Sequence, residues 1–179
     1  MKLQSGKIDT FSPVLNYDPD ANIIIVEDFE NNNQPIFTDD RDGNTNTYML
    51  IQSDEVFEGN ASGQLLLDSV NLECTIASST RYYDLQPSGS SFPVYLEIDY
   101  KTNTAFQVGL IAHLSNSNVE YIYKGGMNAS SEWKKIYFNL TNEVFGAPTN
   151  EFSVVFKAVK LSEASQPKIY LDNIKLLHF

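Results

Sequence analysis

Glu97 and Asp99 are two acidic side chains whose spacing could support catalysis. They flank Ile98, and residues two apart in an extended strand lie on one face, about 6.8 Å from each other. Two carboxylates at such a distance can serve as the acid and the second carboxylate of glycoside hydrolysis. A polar strand face produces the same pattern without any chemistry, so the spacing alone leaves both readings open.

Nucleophilic catalysis finds little support elsewhere in the chain. Cys74 is the only cysteine, so no internal disulfide can form. It lies in a strand-like run with no accompanying base, and we predict a buried, unreactive thiol. No Gly-x-Ser-x-Gly run marks a serine nucleophile.

Metal sites are also poorly indicated by the residues themselves. The two histidines, His113 and His178, have no zinc-ligand spacing. The acidic run at 39–44 resembles a calcium loop, but alignment on its glycine puts Thr38 and Met49 where the ligating acids belong. We therefore interpret that run as an ordinary acidic turn.

Sugar recognition is a chemistry for which the sequence has suitable side chains. An aromatic ring packs on the apolar face of a sugar, and planar polar groups bond its hydroxyls. On the outward faces of the middle strands we predict ligand contacts by Tyr95, Glu97, Gln107, His113, Tyr137 and Asn139, with Lys157, Tyr121 and Tyr123 as neighbours. At the loop rim we predict contacts by Tyr82 and Tyr83, close to Phe92. Such residues are also common on the solvent-exposed face of a sheet that binds no ligand.

Strands of alternating polarity must position these side chains. Leu96, Ile98 and Tyr100 face one side of their strand, and Tyr95 and Glu97 face the other. The same alternation recurs later in the chain. The predicted strands cover 23–26, 48–53, 64–67, 70–77, 94–100, 106–114, 120–124, 136–140, 152–158 and 168–177, with a loop at 31–46 and one helical turn at 141–145 that Thr141 or Asn142 caps.

These elements indicate an all-β fold, a two-sheet antiparallel β-sandwich. No window of 12 or more residues shows a helical period, and many short strands joined by turns are typical of a sandwich. The 179 residues suit a single domain. We assign residues 1–22 to an N-terminal arm or edge strand and residues 23–179 to the sandwich domain.

The charge balance excludes some partners. Twelve Lys and Arg against 23 Asp and Glu give a net charge of −11, which opposes binding to nucleic acid and to anionic membranes. The composition, 42% apolar and 20% charged, is that of a globular protein and predicts no transmembrane segment. Neutral ligands, cations and basic proteins remain possible partners.

Four runs together resemble a known family: VEDFE at 26–30, ASGQ at 61–64, SEWKKI at 131–136 and IYLDNIKL at 169–176. In order and spacing they are similar to galactose-binding-domain-like jelly rolls, which include many carbohydrate-binding modules and surface lipoprotein domains of Bacteroidetes-type bacteria. The resemblance covers about residues 23–179 and implies jelly-roll topology. It also implies that Trp133 has a packing role.

The same resemblance implies a structural calcium ion held by Glu30 and Asp172. Calcium takes six to eight oxygen ligands, and the first and last strands lie side by side in such sandwiches. At a calcium concentration a hundredfold above its dissociation constant, the ion would stabilise the fold by about 2.7 kcal/mol. The alternative is that Glu30 is a solvated strand end and Asp172 a turn acid.

The resemblance also bears on catalysis. Jelly-roll glucanases carry Glu-x-Asp-x-x-Glu, and the final acid of that motif falls at Thr102 here. One required carboxylate is therefore missing, and we predict that the protein is not an enzyme.

We expect a non-catalytic carbohydrate-binding module of a secreted or cell-surface protein, with an oligo- or polysaccharide ligand. The alternative is a surface lipoprotein domain acting through protein contacts, for example as an accessory subunit of an outer-membrane nutrient uptake system. The first six residues have no apolar signal-peptide core, so either the protein is cytosolic or a signal sequence has been removed. We expect the second case, a protein at an extracellular or outer-membrane location whose signal sequence has been removed.

Overall fold

A computed structural model describes residues 22–30, 36–39, 49–67, 73–86, 92–160 and 167–179. Twelve strands and one short helix cover most of this part of the chain. In order they are β1 Asn22–Glu27, β2 Phe37–Asp39, β3 Met49–Gln52, β4 Ser62–Leu66, β5 Glu73–Ser78, β6 Tyr82–Tyr83, β7 Val94–Thr102, β8 Phe106–His113, β9 Val119–Met127, β10 Ser130–Asn139, α1 Thr141–Gly146, β11 Glu151–Val159 and β12 Lys168–His178.

The strands form two antiparallel sheets of six strands each. The first sheet has the order β10-β7-β12-β4-β3, with β1 also paired to β12. The second sheet has the order β2-β5-β11-β8-β9, with β6 also paired to β11. Some consecutive strands, such as β8 and β9, pair within one sheet, whereas β7 and β8 are neighbours along the chain but lie in opposite layers.

The hydrophobic core fills the space between the two sheets. Leu96 and Ile98 of the first sheet and Val108 and Phe156 of the second are fully buried there. The Tyr100 and Phe106 rings join the layers edge to face, with centroids 5.8 Å apart. Burying one such large side chain stabilises a fold by about 1.5–3 kcal/mol, so this layer is the main source of stability.

The structure confirms the predicted all-β sandwich. Each strand predicted from alternation is present, and β1 begins at Asn22. Cys74 is buried, as predicted. Residues 1–21 of the predicted N-terminal arm and the acidic turn at 40–44 lie outside the described residues.

Two local predictions are wrong. The loop predicted at 31–46 contains β2, because Phe37 is buried and packs on Phe156 with ring centroids 5.3 Å apart. The helix α1 is not capped by Thr141 or Asn142; its N-cap is Leu140, with no side-chain cap bond. The Thr141 hydroxyl instead accepts a hydrogen bond from the Val94 N–H at 3.1 Å, which ties the helix to β7.

Candidate functional site

The predicted ligand residues lie on opposite faces of the sandwich. Tyr95 and Glu97 on β7 and Tyr137 and Asn139 on β10 are opposite each other on the outward side of the first sheet. Gln107 and His113 are on β8, on the outward side of the second sheet, and Tyr82 and Tyr83 form β6 at its edge. They therefore cannot line one surface.

The outward side of the second sheet, here called the tyrosine face, has an apolar floor. Ala77, Ile111 and Val155 come from β5, β8 and β11 and form a small hydrophobic cluster separate from the main core. Tyr121 and Tyr123 of β9 pack against this cluster and stay half-buried. Their rings are nearly parallel, with 20° between the planes and 6.3 Å between the centroids. The face therefore presents two aligned aromatic rings that come from the edge strand β9 and pack against the apolar cluster.

A β-bulge between β8 and β9 sets the position of these rings. The register shifts between Val108 and Gly109, and Gly109 then lies opposite Tyr123. A Cβ atom at Gly109 would come within 2.1 Å of the Ile122 carbonyl oxygen, which no side chain could tolerate. Glycine is required here because the β9 backbone approaches so closely.

Polar groups lie at one end of the tyrosine face. The His113 Nε2 and Ser153 Oγ atoms are 3.0 Å apart. At the sheet edge, Arg81 forms an ion pair with Glu151, and the Tyr83 hydroxyl donates to the same carboxylate at 3.0 Å. The hydrogen bond from Arg81 holds the pKa of Glu151 below its usual value.

The other end of the tyrosine face holds an open cavity of about 240 Å³. Gln107 and Lys157 line it from neighbouring strands, together with Asn128 and Gly126. The Lys157 ammonium pairs with Glu73 at 2.7 Å, while the Gln107 side chain is exposed. An exposed amide beside a cavity is suited to bonding hydroxyl groups.

The rim tyrosines have different environments. Tyr82 is buried at 6% exposure, and burial raises its pKa to about 12. Tyr83 is 53% exposed and stands at the end of the tyrosine face. Of the two, only Tyr83 offers a ring to a ligand in solution.

The outward face of the first sheet has a buried ionic cluster at its centre. Glu97 is 3% exposed and Asp99 is fully buried. The Lys135 ammonium lies 2.5 Å from Glu97 Oε1 and 3.2 Å from Asp99 Oδ2, and the Lys175 ammonium lies 3.6 Å from Glu97 Oε1. These acids are therefore neutralised by lysines rather than presented to solvent.

Burial tends to raise the pKa of both acids, but the net shift of the pKa has opposite signs in Glu97 and Asp99. Burial raises the pKa of Glu97, but hydrogen bonds from Lys135 and Tyr137 outweigh it and leave that pKa lowered. For Asp99 burial dominates over the Lys135 interaction, and the pKa is raised. Neither acid has the exposed position that a sugar contact or a hydrolytic acid requires.

The loop at 53–60 covers this cluster. Asp172, opposite Asp99 on β12, accepts the Phe57 and Glu58 N–H groups, both at 3.2 Å. The Phe57 ring lies 6.0 Å from the Lys135 ammonium and packs on Trp133 with centroids 5.7 Å apart. Trp133 thus packs against the covering loop.

Glu30 and Asp172, the predicted calcium ligands, both bind backbone of this loop region. The Glu30 carboxylate accepts the Asn60 N–H at 2.7 Å and the Ala61 N–H at 3.1 Å, and these bonds lower its pKa. Gly59, with φ of 76°, passes so close that a Cβ there would lie 2.2 Å from Glu30. Within the described ranges no group of three or more His, Cys, Asp or Glu could hold a metal ion. Calcium therefore stays a prediction.

Some residues of the tyrosine face could not be recognised from the sequence. Ile111 and Val155 interrupt the polar side of their strands, and this break in alternation is the one signal of an apolar outward floor. Arg81 carries no sequence signal, because its role depends on contact with Glu151 across 70 residues.

Several solved structures share this fold. A family 30 carbohydrate-binding module superposes with a TM-score of 0.64 at 11% identity, covering 88% of each chain. A family 30 module of a cellulosomal cellulase of Clostridium thermocellum gives 0.60 at 13% identity, covering 87% of this chain and 96% of that one. A family 22 xylan-binding domain from Paenibacillus barcinonensis gives 0.54 at 10% identity, covering 86% and 93%. The predicted jelly-roll resemblance is confirmed at the level of the fold.

Other comparisons give no further assignment. No family model matches the chain, and no curated protein matches it in sequence. In the part of the chain that the structure describes, no helix is long and apolar enough to cross a membrane.

Proposed function

We propose that this protein is a carbohydrate-binding module and that its glycan lies along the tyrosine face. The observation that carries the proposal is the pair of nearly parallel rings of Tyr121 and Tyr123 on an apolar floor. Aromatic rings of this kind offer apolar surface against which the apolar face of a sugar ring can pack. The likeness to carbohydrate-binding modules supports the fold that this face requires.

Polar groups on both sides of the rings complete the proposed site. Gln107 lies at one end, and His113 and Tyr83 lie at the other. The six residue steps of β11 from Glu151 to Lys157 span about 20 Å, which accommodates several sugar units. An open face of this kind binds weakly, with dissociation constants on the order of 10 µM to 1 mM.

The proposed role is non-catalytic. Glu97 and Asp99, the acid pair with suitable spacing, are buried under Lys135 and on the opposite side of the sandwich from the tyrosine face. A glycan on the tyrosine face cannot reach them. A secreted or cell-surface location, with or without a lipid anchor, is part of this proposal and follows from the ligand class.

Affinity electrophoresis and calorimetry with soluble cellulose, xylan, mannan and starch derivatives test the proposal. We expect retention by at least one polysaccharide and a roughly tenfold loss of affinity in Tyr121→Ala, which corresponds to about 1.4 kcal/mol. Tyr137→Ala is the matched control, because Tyr137 is a 39% exposed tyrosine on the first sheet.

The two variants decide between the faces. A loss of affinity in Tyr137→Ala with none in Tyr121→Ala would move the site to the first sheet. No binding to any polysaccharide by the folded protein would reject glycan recognition and favour the alternative of protein contacts. Hydrolysis that disappears in Glu97→Gln would reject the non-catalytic role.

A further inference from the structure

A second cavity, of about 340 Å³, lies on the other side of the sandwich from the tyrosine face. It is formed where β7 ends and where β10 and β12 begin. Lys101, Lys168 and Tyr170 line it with neutral polar residues Asn103, Ser130 and Ser131. Its volume lies within the range typical of small-molecule sites.

The start of β12 is fixed beside the end of β7. The Asn103 Oδ1 atom accepts the Lys168 N–H at 2.7 Å, and the Asn103 N–H donates to the Lys168 carbonyl at 3.2 Å. Tyr170 is paired with Lys101 across the sheet, and its hydroxyl oxygen lies 3.4 Å from the Gln64 amide nitrogen. Lys101, Lys168 and Tyr170 therefore line the cavity from hydrogen-bonded strand backbone.

The cavity has one cationic side chain, Lys168, without an acidic partner among the described residues of an acidic protein. The chain has a net charge of −11, yet two lysines line this one cavity. Lys101 pairs with Glu55 at 2.6 Å, whereas Lys168 forms no ion pair with any described residue. An anionic group is thus favoured here and is disfavoured over most of the surface by long-range repulsion.

We propose that this cavity binds a single acidic sugar unit, a hexuronate, with its carboxylate beside Lys168 and its ring against Tyr170. The hydroxyls of Ser130 and Ser131 line the cavity. The Ser130 hydroxyl donates to the Glu132 carbonyl at 2.8 Å, and its oxygen keeps lone pairs that can accept a hydrogen bond from a sugar hydroxyl. The site is on the first sheet, so it stands or falls independently of the tyrosine face.

Amide NMR shifts of the labelled protein test this site, with sodium glucuronate as the probe and neutral glucuronamide as its isostere at matched ionic strength. We expect saturable shifts at Asn103 and Ser131 with glucuronate and not with glucuronamide. Lys168→Gln should weaken binding about fivefold or more, because a charge-assisted bond is lost. Lys134→Gln is the control, since Lys134 is exposed on β10 and does not line the cavity.

Three results would overturn the proposal. Equal shifts with glucuronamide would show that charge is not recognised. Equal affinity for acetate would show a simple carboxylate site with no sugar contact. No saturable shift at about 50 mM glucuronate would show that no site exists at a useful affinity. Tyr121→Ala should leave the glucuronate shifts unchanged, which separates this test from that of the tyrosine face.

Discussion

Replacement of Glu97 by glutamine tests whether this residue braces the fold or contacts a ligand. Glu97 is 3% exposed and pairs with Lys135 and Lys175. Removing one partner of a buried ion pair costs about 3–5 kcal/mol. Because Lys135 keeps Asp99 as a partner and glutamine keeps the volume, we expect a smaller cost than this range, about 2–3 kcal/mol.

The pH dependence of this loss has a defined sign. The pKa of Glu97 is lowered in the folded protein, so its ionised form stabilises the fold above the unfolded pKa of about 4.3. That stability is lost as the pH falls through the folded pKa. The difference in stability between the wild type and Glu97→Gln should therefore be largest near neutral pH and should shrink below about pH 4.

Urea unfolding and thermal melting measure the effect. A loss of 2–3 kcal/mol corresponds to a lower Tm by about 4–12 °C for a chain of this length. Glu132→Gln is the control, because Glu132 is exposed on the neighbouring strand β10 and its substitution should cost less than about 0.5 kcal/mol. A loss below 0.5 kcal/mol in Glu97→Gln, or one that does not shrink in acid, would refute the bracing role.

Three further outcomes are expected. Gly109→Ala should cost about 2 kcal/mol or more in urea unfolding, because its Cβ would overlap the Ile122 carbonyl oxygen. Tyr123→Phe should keep or raise stability by up to about 1 kcal/mol, because the buried Tyr123 hydroxyl has no hydrogen-bond partner among the described residues. If Glu30 and Asp172 hold calcium, Tm should fall when a chelator is added and Glu30→Gln should abolish that fall; an unchanged Tm would count against the ion.

Long strands could be predicted from the sequence and very short ones could not. Between Val94 and Tyr100 the alternation of polarity extends over seven residues, and β7 covers that whole range. The strand β2 has three residues, too few for a period to show. It exists because Phe37 enters the core and because its backbone pairs with β5, and both depend on contacts distant in sequence.

The outward direction of a side chain could be predicted, but not the face on which it lies. The side chains of Tyr95 and Gln107 both point away from the core between the sheets, as the alternation along their strands indicates. The short crossover between Thr102 and Phe106 places them on opposite sides of the sandwich. Alternation has the same form on both sheets, so it cannot distinguish one surface from two.

The burial of Glu97 and Asp99 depends on residues far along the chain. The covering loop is held by bonds from Phe57 and Glu58 to Asp172, more than 110 residues away. Two acids on an outward strand face are expected to be solvated when only their own strand is considered. The ionic cluster therefore could not be recognised before the strands were assembled.

The contrast between the two outward faces is the physical argument for the proposal that a glycan lies on the tyrosine face. On the first sheet the loop at 53–60 covers the central polar groups, and their charges are met by Lys135 and Lys175. On the second sheet the outward floor is apolar, and half-buried rings of Tyr121 and Tyr123 pack on it while remaining partly open to solvent. Apolar surface that stays partly exposed loses the benefit of full burial, about 25 cal/mol for each Å² left in contact with water. A sugar ring laid on these tyrosines would recover part of that benefit, whereas a glycan laid over Glu97 and Asp99 at the centre of the first sheet would first have to displace a loop held by the buried Asp172 carboxylate.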